Sequence, residues 1–124
     1  MRKTRVSGTS VQAEELVGDV AGRPAAIVDD MISTGGTVEA AVRVLLDRRA
    51  APDITVAATH GLLVAAAQER LRRLPIRRLL VTDALAPHPH QALPVRVPSV
   101  APLLAGAIGR LHHDEPLDAL LMHT

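Results

Sequence analysis

Short, nearly unbroken apolar runs alternate along this chain with stretches in which apolar residues recur every three or four positions. The first run, Ala25 to Val28, is AAIV, as expected of a parallel strand buried on both faces, and it predicts a strand over 24–29. After it, Val38, Ala41, Val42, Leu45 and Leu46 fall at helical spacing. They predict a helix over 36–49 that buries this stripe and leaves Glu39, Arg43, Asp47 and Arg48 largely outward. Pro52 interrupts the chain before a strand from Ile54 to Ala58. A second helix is expected from Val64 to Leu74, closed by Pro75, and then a strand from Arg78 to Thr82. Residues 84–94, ALAPHPHQALP, carry three prolines and read as a loop. A strand at 95–97, a helix over 101–111 and a short tail helix near 116–121 complete the pattern. This order predicts an α/β domain: a mostly parallel sheet of four or five strands with helices on both faces. Residues 1–22 are polar, with Gly and Ser. They are expected to form a mobile N-terminal arm or an incomplete element, leaving 23–124 as the domain.

Composition narrows the classes of function. Fourteen basic residues against thirteen acidic give a net charge of +1, so no broad positive field calls for nucleic acid or a membrane surface. Arg70, Arg72, Arg73, Arg77, Arg78 and Arg96 read as solvated faces or anion contacts. There is no Cys, hence no disulfide framework. Without an apolar run of about 18 residues or a leader of signal type, the expected location is the cytoplasm. Phe, Tyr and Trp are absent, which removes large apolar anchors and any ring on which a base could stack. An apolar fraction of 48% in so small a chain leads us to expect a partner surface, a homodimer or higher homo-oligomer.

The chemistry concentrates in AIVDDMISTGGT, Ala26 to Thr37. Ligands bind at the carboxyl ends of strands in open α/β sheets, where Asp29 and Asp30 fall. Both acids can turn inward at a strand tip and accept hydrogen bonds from vicinal sugar hydroxyls, or hold the water shell of Mg²⁺. Thr34 and Thr37 add hydroxyls, and Gly35 and Gly36 leave backbone N–H groups open to a phosphate monoester. The plainer reading is that the acids cap the next helix and TGGT is a tight turn. A dinucleotide fingerprint and a Walker A loop are both excluded, because no G-x-G-x-x-G occurs and no Lys follows the glycines. His60 reads as a phosphate or nucleotide contact or as a packed histidine. Asp83, at a predicted strand end, either faces the same crevice or caps the next turn. His88, His90, His112 and His113 lack the spacing of a zinc site.

The same segment resembles the phosphoribosyl diphosphate (PRPP) motif of type I phosphoribosyltransferases and of ribose-phosphate pyrophosphokinases, the PRPP synthetases. LVGDVAGR (Leu16 to Arg23), AATHGLL (Ala57 to Leu63), LVTD (Leu80 to Asp83) and SVAPLLAGAI (Ser99 to Ile108) look like corresponding parts of the synthetases, in the same order. The resemblance covers nearly the whole chain and points to the second half of a synthetase subunit with a phosphoribosyltransferase-like fold. It implies that Asp29 and Asp30 hold the ribose hydroxyls, directly or with a metal, and that Ser33, Thr34, Gly35, Gly36 and Thr37 bind the 5-phosphate. It implies further that Lys3 and Arg5 belong to a catalytic loop that stabilises the transferring phosphoryl groups. Mg²⁺ would accompany ATP or PRPP. Two positions depart from the family pattern: Thr4 stands where a basic residue is usual, and Ser33 where many synthetases carry an acid. In the family, the half that precedes this stretch carries the adenine site. ATP is therefore expected as a partner only if that half-site is supplied, with ribose 5-phosphate or PRPP the direct ligand. Pairing with a synthetase subunit is also expected. The alternatives are a phosphoribosyltransferase acting on a base and a non-catalytic truncated or regulatory subunit.

Overall fold

A computed structural model describes residues 2–7, 10–15, 17–86 and 93–121. Two strands, β1 (Arg2–Ser7) and β2 (Ser10–Glu15), pair antiparallel as a separate ribbon, and β2 runs beside the first helix. The stretch read from sequence as an arm or incomplete element thus contains a two-stranded hairpin. Beyond it, β3 (Ala25–Ile32), β4 (Ile54–Gly61), β5 (Ile76–Val81) and β6 (Val95–Arg96) form a parallel sheet in sequential order. The helices are α1 (Gly36–Asp47), α2 (Ala65–Arg72), α3 (Ala101–His112) and α4 (Asp118–Leu121). The α/β class and the parallel four-stranded sheet are those expected from the alternation.

Strand order explains where the helices lie. The crossovers β3-α1-β4 and β4-α2-β5 advance in one direction, so the right-handed rule lays α1 and α2 on one face of the sheet. That face is the core: Ile54, Val56, Leu79 and Val81 from the strands meet Val38, Val42 and Leu45 of α1 and Leu71 of α2. No polar or charged side chain among the described residues is buried with them. The expectation that β3 is buried on both faces does not hold, because α1 and α2 share one face of the sheet. Through Asp30 half-buried and exposed residues alternate, Ile27 turning toward this core while Val28 points the other way and is 79% exposed.

The differences from the sequence expectations have local causes. β4 runs on through Gly61 because His60 and Gly61 pair with Met31 and Ile32 of β3, which also carries β3 beyond the predicted end. β5 starts at Ile76 because that residue pairs with Ile54. Leu46, placed on the buried stripe by its spacing, is 38% exposed. Helix α1 ends in a Schellman arrangement: Ala50 N–H donates to the Leu45 carbonyl and Arg49 N–H to that of Leu46, each at 2.9 Å. Arg49 takes the left-handed conformation that this cap requires, and Ala50 and Leu45 close it with a buried apolar contact. His88 and His90 lie outside the described residues.

Candidate phosphosugar site

The candidate residues lie where β3 runs out of the sheet. Asp29 pairs with Ala58, which in turn pairs with Val81, so the tips of three adjacent parallel strands lie side by side. Asp29 is half-buried, and its Oδ1 accepts the Asp30 N–H at 3.0 Å. Asp30 is exposed, and among the described residues nothing donates to its carboxylate. His60, one strand over, directs Nδ1 at the Asp30 carbonyl at 3.3 Å and so braces the backbone between the acids and the loop. In that bond the ring nitrogen carries the proton, since a carbonyl only accepts.

The loop from Ser33 to Gly35 then turns into α1. Gly35 sits at the helix start with φ +76°, a left-handed backbone that side chains rarely adopt. A Cβ there would also lie 3.2 Å from Cδ2 of the buried Leu71. Glycine is needed at this position on both counts. No side chain among the described residues caps the helix. Glu39 N–H, which finds the Gly35 carbonyl at 2.9 Å, is the first helical donor with a backbone partner. The donors ahead of it carry the positive end of the helix dipole and suit an anion. The reading of TGGT as a turn closed by acid caps does not describe this geometry, because neither Asp29 nor Asp30 caps α1.

Two supports were not legible in the sequence. Arg70 of α2 donates from Nη1 to the Thr34 carbonyl at 2.7 Å and from Nε to Glu39 Oε2 at 3.0 Å. Glu39, assigned by periodicity to the outward face, is half-buried and also accepts from Arg43 at 2.7 Å. Thr82 donates from its hydroxyl to the Thr59 carbonyl at 2.6 Å and ties the β4 and β5 tips together. A helical i, i+4 spacing could have shown the Glu39–Arg43 pair. Nothing in the sequence joins Arg70 to Thr34.

Asp83 follows the end of β5 and binds the N–H of Val100, which begins α3, at 2.8 Å. The Ser99 hydroxyl and this N–H hold its carboxyl below the ordinary range for aspartate. Its carboxylate is therefore committed to anchoring α3, in the manner of a cap. Lys3 and Arg5 stand on β1 opposite Ala13 and Val11, and their side chains lie outside what the structure describes. A cavity of about 440 Å³ lined by Arg77, Arg78, Pro94, Val95 and Arg96 lies toward the starting end of β5, away from the acids.

No group of three or more His, Cys, Asp or Glu is placed to hold a metal among the described residues. The consecutive acids on an open strand tip suit Mg²⁺, which keeps several waters and takes one or two carboxylates together with substrate phosphates.

Residues 9–122 match the family described as phosphoribosyl synthetase-associated domain. The chain belongs to that family. It is 42% identical over 120 residues to a ribose-phosphate pyrophosphokinase of Rhodopirellula baltica, covering 95% of this chain and 38% of the relative. Against the ribose-phosphate pyrophosphokinase of Caldanaerobacter subterraneus subsp. tengcongensis the identity is 40%, over 89% of this chain and 35% of the relative. The crystal structure of phosphoribosylpyrophosphate synthetase from Mycobacterium smegmatis superposes with a TM-score of 0.70 at 37% identity, over 87% of this chain and 35% of that one. This family member thus spans about a third of the length of the relatives it matches. Its stretch is a ribose-phosphate diphosphokinase-like domain with the fold of the synthetase. No helix among its described residues is long and apolar enough to cross a membrane.

Proposed function

We propose that this domain binds ribose 5-phosphate or PRPP and provides the sugar-phosphate half of a ribose-phosphate diphosphokinase site. The observation that carries the reading is the continuity of β3, its two acids and the uncapped N-terminus of α1: hydroxyl acceptors and phosphate donors sit on one short stretch of chain. Asp30, exposed and without a donor to its carboxylate among the described residues, accepts from the ribose hydroxyls, with Asp29 beside it. The N–H groups that follow Gly35, with the hydroxyls of Ser33, Thr34 and Thr37, receive the 5-phosphate. When bound, Mg²⁺ would neutralise phosphate charge at Asp29 and Asp30. In this reading the C1 hydroxyl of the oriented ribose attacks the β-phosphorus of ATP, giving PRPP and AMP, once a partner half supplies the ATP site. Lys3 and Arg5 offset the charge that develops on the transferring group. A cytoplasmic homo-oligomer, or pairing with a synthetase subunit, belongs to the same reading.

Calorimetric titration of the purified chain with ribose 5-phosphate, with and without Mg²⁺, tests it. Saturable binding that Asp30→Ala abolishes is the expected result. Absence of binding by the unsubstituted chain would overturn the proposal.

A further inference from the structure

The loop that meets the phosphate in the reading above has its carbonyls claimed from one side. Ile32, Ser33 and Thr34 offer three successive carbonyls, and each accepts a donor from the segment that leads into and forms α2. Leu63 N–H reaches the first at 3.0 Å, Val64 N–H the second at 3.3 Å, and Arg70 Nη1 the third at 2.7 Å. The peptides are planar and none is cis, so each carbonyl and the N–H of the next residue point in opposite directions. Holding these carbonyls against residues 63–70 therefore turns the N–H groups of Ser33, Thr34 and Gly35 to the other side of the loop. The Gly35 carbonyl is occupied as well, by Glu39 N–H at 2.9 Å. Successive amides aimed together make an anion-binding concavity.

We propose that Arg70 is a positioning residue for the sugar-phosphate site, acting through the Thr34 carbonyl to aim the Gly35 N–H. Among the three donors it is the only side chain, so it is the one that substitution can remove without altering the backbone. Its guanidinium is held in place from two directions. Nε is paired with Glu39 at 3.0 Å, and Glu39 itself belongs to the first turn of α1. The planar fork of arginine allows both bonds at once; a lysine ammonium could donate to Thr34 but would not keep this geometry with Glu39. The neighbouring Leu71 packs beneath Gly35, so two consecutive residues of α2 set the loop's height and its peptide orientation.

The inference rests on the sugar-phosphate reading for its ligand, and the experiment separates the two. Arg70→Ala, Arg70→Lys and Arg73→Ala are made in the full chain. The Arg70 side chain is 37% exposed and belongs to no part of the apolar core, and alanine is the best helix former, so folding is expected to be retained. Amide ¹H–¹⁵N spectra and residual dipolar couplings of the ligand-free proteins report the direction of the Gly35 N–H, and calorimetry reports ribose 5-phosphate affinity. Arg70→Ala is expected to reorient the Gly35 N–H and weaken ribose 5-phosphate about tenfold, the scale of one charge-assisted hydrogen bond. Arg70→Lys should recover part of both effects, and Arg73→Ala, at an exposed arginine of the same region that among the described residues pairs only with Glu69, should leave both as they are. An unchanged Gly35 N–H in Arg70→Ala overturns the proposal, as does unchanged affinity in that variant. If the unsubstituted chain binds no ribose 5-phosphate, the functional reading falls, while the dipolar couplings still decide whether Arg70 aims the amide.

Discussion

Helices α1 and α3 are each twelve residues long and each carry apolar residues at helical spacing, yet only one of them is embedded. α1 buries Val38, Ala41, Val42 and Leu45, whereas α3 buries none of its residues and leaves Leu103, Leu104, Ile108 and Leu111 between 52% and 67% exposed. The difference comes from what flanks them. α1 connects two adjacent parallel strands, and a right-handed crossover must lay it across the sheet. α3 follows the two-residue β6 at the sheet's edge, and no later strand among the described residues draws it back. It is tied instead at its ends, by Asp83 to Val100 and through Arg110, which donates to the Pro116 carbonyl at 3.2 Å. Periodicity states which face of a helix favours burial, and topology decides whether a surface is there to bury it.

The widest separation between the two regions should come from removing one leucine in each. Leu71 is 1% exposed and sits between the sheet and the Gly35 turn. Leu71→Ala should cost about 2–5 kcal/mol through lost transfer energy and a cavity. Leu104, 56% exposed on α3, should change stability by less than about 0.5 kcal/mol when replaced by Ala. Urea unfolding of both variants checks this pair, and equal losses would mean that α3 is covered in solution.

A smaller effect is expected at the junction of loop and helix. Gly35→Ala forces a Cβ into a left-handed backbone at φ +76° and against Leu71. Stability should fall by about 1–2 kcal/mol for the backbone alone, and ribose 5-phosphate affinity should fall with it. The same substitution at Gly109, a helical glycine of α3 where an added Cβ would meet nothing within 4 Å, should be neutral or slightly stabilising. Unfolding midpoints for the two variants should therefore move apart.

The smallest effect is a pH dependence at the anchor of α3. Asp83 has its carboxyl lowered by Ser99 and by the Val100 N–H, so the folded protein favours the ionised form more than the unfolded chain does. Its contribution is complete above the unfolded aspartate value and is lost as pH falls through the lower, folded value. Asp83→Asn lacks this contribution, so the stability gap between the two proteins should narrow on acidification from neutral pH and stay constant above it. Paired thermal melts across that range, read as differences between the proteins, check the sign. A gap that widens toward acid would remove the anchoring role.

Much of the site was legible because its residues are consecutive. Asp29, Asp30 and the Ser33 to Thr37 loop lie on one stretch, and an apolar run followed by acids and paired glycines identifies a strand tip entering a helix without any long-range information. The sequence leaves Asp83 open between crevice and cap, because choosing between them requires knowing where Val100 folds back. Helical spacing turns Glu39 outward and cannot show that a second helix supplies Arg70 beside it.

The amino-acid order by itself determined the α/β alternation, the strand that delivers the acids, and the glycine turn, since each depends on local periodicity and on conformations open to particular residues. Only the tertiary structure decided that α1 is embedded while α3 is not, that β4 extends to Gly61, and that Arg70 holds the Thr34 carbonyl. These are contacts between residues tens of positions apart. They follow from strand pairing and crossover geometry, which bring together groups whose separation along the chain carries no sign of their meeting.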